Sequence, residues 1–504
     1  MKRITALLLA AILLLPGCGK GEAVKKNPAP EGNPVQISLS DDAITVDGAA
    51  ITEEPAQAVY AARDIVYYPA GQDFTFGAAE EGEAHEEGEA RAHTVVHITQ
   101  PGLYSLSGKL SRGQIAVDLG ENAKTDPNAV VTLILNGVDI TSTVSPAVIF
   151  YNVFECAEEE ASYDVDTSAA GANVWLADGT ENRVTGAYVA RIYEPASVVL
   201  SEDGKEVADY STLYKYDGAF YSCMSMNVSG NDGILHIDAT NEGLDTEMHL
   251  TVNGGDIRIE SGNDGINVNE DGVSVATMNG GRLSVTVTGE TGEGDGIDSN
   301  GWLVINGGTL SASACGASQD AGIDSDMGIY LNGGTLAASG HMLDQIAGGS
   351  ATYGVFTFAG LQNGGSTYSL KNSRDKTVLA VTPTNDFSVL VVSSPDMQPG
   401  DYSFWRGGAK LVGAVGQGFG GMMRPEGMER PEGMQRPGGS GGFQEFGSGG
   451  QPNGFEGMTP PEGIEMPEGM SRPGGIGQMP AGEVSEIFTL TQGANYFSFV
   501  SPAE

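Results

Sequence analysis

The chain is poor in positive charge. Of its 504 residues, 25 are Lys or Arg and 66 are Asp or Glu, which gives a formal net charge of -41 at pH 7. Nucleic acids and anionic membrane surfaces attract basic proteins, so this balance argues against either of them as a partner. It favours cations as partners, or a role outside the cell.

Cysteine and histidine are too scarce for a zinc site. Apart from Cys18, the cysteines are Cys156, Cys223 and Cys315. They form no C-x-x-C pair and have no pair of histidines nearby, which is the spacing that zinc sites use. Three cysteines allow at most one disulfide among themselves. We therefore expect buried thiols packed inside the fold.

A long apolar run occurs at the N-terminus, where it is too short to span a bilayer. The basic start Met1-Lys2-Arg3 precedes the apolar residues 4–15, and the segment 15–18 reads Leu-Pro-Gly-Cys. This order predicts a lipoprotein signal peptide at 1–17, with Cys18 lipidated as the first mature residue and 18–34 as a tether. Lipid anchoring at the bacterial cell surface would be the chain's one contact with a membrane. Simple secretion is the alternative.

Glycine, by contrast, is abundant, with 74 residues, and it punctuates a phrase that returns four times. Each copy opens with Gly, an aliphatic residue and Asp or Asn, and closes with Asn-Gly-Gly. The openings are Gly243-Leu244-Asp245, Gly265-Ile266-Asn267, Gly296-Ile297-Asp298 and Gly322-Ile323-Asp324, and the closings begin at Asn253, Asn279, Asn306 and Asn332. The closings recur every 26 or 27 residues. A fixed period of this size is typical of a solenoid.

Segments between these phrases alternate polar with apolar residues, as in 256–259 and 283–287, while 302–305 is a short apolar run. They are short and rich in β-branched residues, which predicts strands with one buried face. Asn-Gly-Gly suits a tight corner because Gly and Asn tolerate positive φ. We therefore predict an all-β fold, a right-handed parallel β-helix whose repeats stack their apolar residues inward. A set of ordinary β-hairpins is the alternative.

The remaining chain divides into segments around this solenoid. We assign 35–410 to the β-helix domain, with irregular early repeats from Thr94 and a possible short helix at Pro55–Val66. Residues 352–358, 377–382 and 387–392 are predicted to form an antiparallel cap at its C-terminal end. The segment 411–482, rich in Gly, Pro, Met and Glu, is predicted to be a disordered insert. Closing strands at 483–504 would return to the cap.

Acidic residues recur at one kind of turn beside the repeated phrase. Equivalent residues of successive repeats would stand about 4.8 Å apart, where carboxylates repel unless a cation neutralises them. Calcium takes six to eight oxygens from Asp, Asn and backbone carbonyls. The predicted calcium ligands are Asp264, Asn267, Asp295, Asp298, Asp320 and Asp324. The alternative is that these residues form turns through side-chain bonds to nearby backbone.

Several further phrases resemble secreted carbohydrate-binding β-helix proteins that bind cellulose and acidic plant sugars. Together with the repeated coils, the phrases that carry the resemblance are Ile98–Gly108, Gln114–Asp118, Leu133–Thr141, Leu176–Asn182 and Phe387–Pro395. The resemblance implies a right-handed parallel β-helix related to pectate lyases, with bound calcium and affinity for polysaccharide. This chain departs from the family pattern at Asn267, where the family has Asp, and at Ala321, which splits the last Asp-Gly pair.

Binding is favoured over catalysis because strong bases are scarce near the acidic turns. Calcium-dependent lyases abstract a proton with Arg or Lys, yet between Gly230 and Gly340 the strong bases are Arg258 and Arg282 alone. Candidate sugar-stacking aromatics are Trp175, Tyr188, Trp302 and Tyr330, although an aromatic residue in such a coil is more often core. We therefore predict a non-catalytic polysaccharide-binding protein. A calcium-dependent polysaccharide lyase and a surface adhesin or envelope spacer are the alternatives.

Overall fold

The regular secondary structure of the described residues is almost entirely β-strand, which confirms the predicted all-β class. The computed structural model describes residues 26–80, 82–157, 162–415 and 484–499. Within them the helical elements are the four-residue α-helix Glu87–Ala90 and the 3-10 turn Glu121–Thr125, so no described helix has the length and apolarity needed to cross a bilayer. The predicted signal peptide, Cys18 and residues 416–482 of the predicted insert lie outside these residues. The first part of that insert, 411–415, is described and contains the strand Gly413–Val415, so the insert was predicted to begin too early.

Most strands stack in three ladders, which we name A, B and C. Ladder A contains Val35–Leu39, Gly102–Leu110, Val131–Thr141, Ala172–Leu176, Met226–Gly230, Leu250–Val252, Val275–Met278, Trp302–Ile305, Gly328–Leu331 and Ile346–Gly348. Ladder B continues from the ends of Gly102–Leu110 and Val131–Thr141 through Glu181–Gly186, Ile234–Ala239, Asp256–Ser261, Arg282–Val287, Thr309–Ser313 and Thr335–Gly340. Ladder C contains Val59–Ala62, Thr94–Ile98, Gly113–Asp118, Val148–Asn152, Gly218–Ser222, Glu242–Thr246, Ile266–Val268 and Ile297–Ser299.

Successive repeats pair in parallel, so the alternative of β-hairpins does not hold for the repeated phrases. In ladder B, Ile257 lies opposite Leu283, and Leu283 lies opposite Leu310. The side-chain period of a strand is two residues, so this register keeps the apolar residue of every repeat on the same face. Buried residues of all three ladders form one hydrophobic cluster, represented by Leu250 in ladder A, Ile259 in ladder B and Ile266 in ladder C.

Each Asn-Gly-Gly forms the corner between ladder A and ladder B. The second glycine has φ of 94° at Gly255, 77° at Gly281, 84° at Gly308 and 82° at Gly334, a region that L side chains avoid. The asparagines stack: the Asn279 side-chain amide donates to Asn253 Oδ1 at 2.9 Å, and Asn306 and Asn332 repeat this bond at 2.9 and 2.8 Å. The corner therefore aligns one repeat on the next.

At the C-terminal end of ladder B the pairing changes direction. Thr335–Gly340 pairs antiparallel with Phe387–Ser393, which pairs antiparallel with Tyr353–Gln362. Ala494–Phe499 then pairs in parallel with Tyr353–Gln362. The cap strand that we predicted at 377–382 belongs to a different sheet. A separate sheet packs here through an aromatic cluster that includes Phe356 and Phe404. Its strands are Tyr368–Asn372, Thr377–Val381, Gly400–Arg406, Ala409–Lys410 and Phe488–Leu490.

The remaining short strands lie at the N-terminus, on excursions from the ladders and at the end of the cap. They are Thr45–Val46, Ala49–Ala50, Gly77–Ala78, Val189–Tyr193, Val199–Leu200, Val207–Asp209, Thr212–Tyr216 and Gly413–Val415. The predicted helix at Pro55–Val66 is wrong, because Val59–Ala62 pairs antiparallel with Thr94–Ile98 and so extends ladder C. Pairing with a sheet edge overrides weak local helix propensity.

The three described cysteines are free thiols, so the single disulfide that their number allows does not form among them. Cys315 is buried in the main core, as we expected for a packed thiol. Cys156 and Cys223 are only half-buried.

Replacing the insert 416–482 with a short Gly/Ser linker is expected to leave the melting temperature nearly unchanged. The described strands on either side, Gly413–Val415 and Ala494–Phe499, pair with each other and with the cap. A thermal melt of the shortened chain beside the full chain checks this expectation. A large fall in melting temperature would show that the insert contributes to the folded core.

Candidate functional site

Ladder C carries a row of acidic side chains on the face opposite the core. In each repeat the aliphatic residue of the Gly-aliphatic-Asp/Asn phrase points into the core, as Leu244, Ile266 and Ile297 show by their near-complete burial. The next residue points the other way because side chains alternate along a strand. Asp245 therefore lies opposite Asn267, and Asn267 lies opposite Asp298. Repeat, register and alternation together produce the row.

Three predicted calcium ligands meet in what we call the open cluster: Asp295, Asp298 and Asp324. One carboxylate oxygen from each lies within 4.8 Å of the others, and all three residues are half-buried. Asp324 follows the ladder through a hydrogen bond from its backbone N–H to the Ile297 carbonyl, at 2.8 Å. Asp324 Oδ1 has no hydrogen-bond partner among the described residues. The cluster thus brings three carboxyl groups together, and one of their oxygens, Asp324 Oδ1, has no hydrogen-bond partner in the described chain.

Burial and mutual repulsion make ionisation of the open cluster unfavourable. Burial, followed by the charges of Asp344 and Asp298, raises the pKa of Asp324 to about 8. Burial, followed by Asp324 and Asp298, raises the pKa of Asp295 well above its usual range. A nearby cation would reverse both effects, because opposite charge favours the ionised form.

Asp264, Asp295 and Asp320 each use one oxygen to hold the backbone of a neighbouring repeat. Asp264 Oδ1 accepts from the Asp295 N–H at 2.6 Å, and Asp295 Oδ1 accepts from the Ala321 N–H at 2.5 Å. Asp320 Oδ2 accepts from the Gly294 N–H at 2.6 Å and from the Ser318 hydroxyl. These bonds are the turn-forming role that we gave as the alternative to calcium. They occupy one oxygen of each carboxylate, so the two roles can coexist.

Asn267 and Asp264 lie in the middle of the row. Asn267 is 5% exposed, its amide donates to Glu242 Oε1 at 3.3 Å, and its Oδ1 is unpaired within the described chain. Burial, then the charges of Glu242, Asp295 and Asp298, raise the pKa of Asp264 well above its usual range. Carboxylates on both sides of Asn267 in the row therefore repel the charge of Asp264.

A second group, which we name the closed cluster, consists of Asp217, Glu242 and Asp245. One oxygen from each lies within 4.8 Å of the others. Our sequence analysis did not propose these residues as ligands, although Asp245 occupies the Asp/Asn position of the first repeated phrase. Asp217 belongs to an earlier, irregular repeat, and no local pattern marks it. The ladder register brings it beside Glu242, because Gly218 lies opposite Glu242.

The two arginines considered as bases lie on ladder B, not on ladder C. The Arg258 guanidinium donates to both carboxylate oxygens of Asp256, at 3.1 and 2.7 Å. Arg282 is exposed and lies in register with Asp256 on the neighbouring strand. Neither of the two bases that we considered lies on ladder C, whereas Lys215, which we did not consider, forms an ion pair with Asp217.

The candidate sugar-stacking aromatics are mostly engaged in packing. Trp175 and Trp302 are 7% and 9% exposed, and the Tyr188 hydroxyl donates to Glu83 at 2.6 Å. Tyr330 stacks on Tyr163 with ring centroids 4.2 Å apart. The two tryptophans are therefore part of the packed structure, as is usual for aromatic residues in a coil.

Comparison with known proteins shows which family the chain belongs to. A family model described as carbohydrate-binding domain-containing protein matches residues 92–377, more than half of the chain and a range that contains both clusters. The chain belongs to this family. A family relative from Acetivibrio thermocellus, also described as a carbohydrate-binding domain-containing protein, is 29% identical over 167 residues. That match covers 33% of this chain and 45% of the relative, so it spans less than half of the relative's length.

One solved structure is also similar. It is described as the structure of the polysaccharide lyase-like protein from C. thermocellum, a gadolinium derivative. The two sequences are 21% identical, the match covers 60% of this chain and 84% of the other, and the TM-score is 0.33.

Proposed function

We propose that this protein is a non-catalytic, calcium-dependent polysaccharide-binding protein held at the bacterial cell surface by a lipid on Cys18. Membership of a carbohydrate-binding family supports a polysaccharide as the partner. The acidity of the chain argues against nucleic acid. The signal peptide and lipid anchor are inferred from the N-terminal sequence, and they would put the binding domain outside the cell, where calcium is plentiful.

We propose a right-handed parallel β-helix as the architecture behind ladders A, B and C. The parallel pairing of successive repeats and their shared core support it. Such a fold stacks equivalent residues about 4.8 Å apart. It is therefore the fold that turns a repeated aspartate into a row of carboxylates.

The observation that carries the function is the open cluster. Three carboxylates within 4.8 Å, one of them with an unpaired oxygen, form a donor set made only of oxygen. Hard cations prefer such donors, and calcium accepts irregular arrangements that magnesium does not. We propose that Asp295, Asp298 and Asp324 hold calcium, with Asp264, Asn267 and Asp320 flanking them on the same row. Calcium would supply positive charge at a surface that otherwise repels anions.

The half-buried position of the open cluster suits a site that also touches a ligand. Calcium has more coordination positions than these three side chains can fill. Uronate carboxylates and hydroxyls of an acidic polysaccharide are oxygen ligands of the same kind. An acidic protein can thereby bind an anionic polymer, because the bound cation reverses the local charge.

The basic residues support binding without turnover. Arg258 and Arg282 lie on ladder B, away from the acidic row of ladder C. Burial by itself would lower the pKa of Lys215, but Asp217 and Glu242 outweigh it and raise that pKa above the usual value. A lysine that stays protonated cannot accept the proton that a lyase must abstract.

A pull-down on polygalacturonate tests the proposal. We expect the protein to be retained with calcium, to be released by a chelator, and to form no unsaturated uronate product that absorbs in the ultraviolet. Retention on cellulose in the presence of chelator would instead assign binding to surface side chains. Steady formation of unsaturated product, lost in Arg258→Ala, Arg282→Ala or Lys215→Ala, would make the protein a lyase. Failure to retain any polysaccharide would favour an adhesin or envelope spacer.

A further inference from the structure

The closed cluster differs from the open cluster in how completely the protein covers it. Asp245 is 0% exposed, Glu242 is 4% exposed and Asp217 is 9% exposed. The excursion strand Thr212–Tyr216 lies beside the cluster, because Lys215 forms an ion pair with Asp217 and accepts a hydrogen bond at its carbonyl from the Tyr221 hydroxyl, at 3.3 Å. Ladder C is thus more deeply buried at this repeat than two repeats further on, where the open cluster is half-buried.

Two oxygens in the closed cluster lack partners. Glu242 Oε1 accepts from the Asn267 amide and Asp245 Oδ1 accepts from the Asn269 amide, at 3.3 and 2.6 Å. The second oxygen of each, Glu242 Oε2 and Asp245 Oδ2, has no hydrogen-bond partner in the described residues. Burying a charged acceptor without a partner is unfavourable, because the group loses its hydration and gains no hydrogen bond in return. One carboxylate oxygen of each residue lies within 4.8 Å of the other, so a single ligand could be shared between the two residues.

The charges around these oxygens are not balanced by the protein. Lys215 forms an ion pair with Asp217, and it is the basic residue that contacts the cluster in the described structure. Glu247 adds a further carboxylate, which accepts from the Tyr221 hydroxyl. Four acidic side chains thus face one ammonium group. A shared proton would relieve part of this excess, while a divalent cation would relieve more of it.

We propose that Asp217, Glu242 and Asp245 form a second divalent-cation site, closed to solvent, that stabilises the fold and does not contact the polysaccharide. The donor set is oxygen only, and oxygens within 4.8 Å of one another fit around one ion with metal–oxygen distances of about 2.3–2.6 Å, the range of calcium. The site is separate from the open cluster because the neutral Asn267 lies in register between Asp245 and Asp298. The proposal of this second site rests on the contacts of these three residues and does not depend on the proposed binding of polysaccharide.

Calcium titration of the full chain and of Glu242→Gln tests this second site. We expect Glu242→Gln to bind one calcium equivalent fewer by calorimetry and to lose part of the calcium-dependent rise in melting temperature. Retention on polygalacturonate at saturating calcium should stay within about twofold of the unchanged chain. The matched control is Glu290→Gln, which removes one charge from an exposed position of a nearby loop and should change neither measurement.

Lys215→Met supplies a test with the opposite sign. Removing the ammonium leaves the cluster more negative, so its calcium affinity should rise by roughly tenfold, whereas the chain without calcium should melt lower. This variant also keeps the proposal testable if Glu242→Gln does not fold. Unchanged calcium stoichiometry in Glu242→Gln, or unchanged calcium affinity in Lys215→Met, would overturn the site and assign the shared position to a proton. If the unchanged chain is not retained on polygalacturonate but the calcium results hold, the proposed function is refuted and this second site still stands.

Discussion

Adding calcium to the chelated protein is expected to raise its melting temperature, and this should be the largest change that any small ion produces. A ligand that binds only the native state stabilises it by about 2.7 kcal/mol per site when its free concentration is a hundredfold above Kd. Two carboxylate clusters on ladder C would each contribute. Thermal melts in chelator, calcium and magnesium measure the effect. Identical curves in chelator and calcium would remove calcium from both clusters.

The pH dependence of the chelated protein should have a definite sign. Burial and neighbouring carboxylates raise the pKa of Asp324 and of Glu242 to about 8, above the values of an unfolded chain, about 3.9 for Asp and 4.3 for Glu. Between these values the native state binds more protons than the unfolded state, so stability falls as pH rises from about 4 to 8. Calcium displaces those protons, so its stabilising effect should grow over the same interval. Melts at pH 5.5 and 8, with and without calcium, check the sign.

Asp298→Ala is expected to lower both calcium affinity at the open cluster and retention on polygalacturonate, on the order of 100-fold. Asp298 stands in the ladder between Asn267 and the position of Asp324, so its carboxylate contributes to the charge that raises the pKa of Asp295 and of Asp324. Calorimetry with calcium and a quantitative pull-down give the two numbers. A fall in both, with the second calcium equivalent retained, is the expected pattern.

Glu290→Ala is the matched control for this substitution. Glu290 is exposed and lies in the loop that leads to Asp295. Its replacement by Ala removes the same charge from the chain as Asp298→Ala. If Asp298→Ala and Glu290→Ala weaken binding equally, the loss reflects net charge and not coordination. If Asp298→Ala instead lowers the melting temperature in chelator as strongly as in calcium, the residue acts as a turn-former and the calcium assignment is wrong.

Part of this architecture could be predicted from local sequence because its causes are local. Asn-Gly-Gly predicts a corner, and the structure places the second glycine of each copy at positive φ, from 77° at Gly281 to 94° at Gly255. Alternation in 256–259 and 283–287 predicts strands, and both segments lie in strands. Asn267 and Asp298 hold the same place in the repeated phrase, which implies that they lie opposite each other on neighbouring strands, as their register shows.

The closed cluster escaped prediction because its members do not share one pattern. Asp217 precedes its strand in an irregular repeat, Glu242 comes before the repeated phrase and Asp245 lies within it. Their approach depends on the register between Gly218–Ser222 and Glu242–Thr246 and on the covering strand Thr212–Tyr216. Sequence spacing carries no information about either.

By itself, the sequence determined the all-β class, the repeat and the line of acidic residues, since each follows from steric preferences and side-chain alternation within a few residues. Only the tertiary structure decided what each acid does. One oxygen of Asp264 accepts a hydrogen bond from a backbone N–H of the next repeat. One oxygen of Asp324 has no partner in the described chain, and Asp245 is fully buried. The physical reason is that the burial and the hydrogen-bond partners of each carboxylate come from segments distant in the chain. These distant segments set the electrostatic environment that determines whether a carboxylate bonds to the backbone of a turn or keeps an oxygen without a partner.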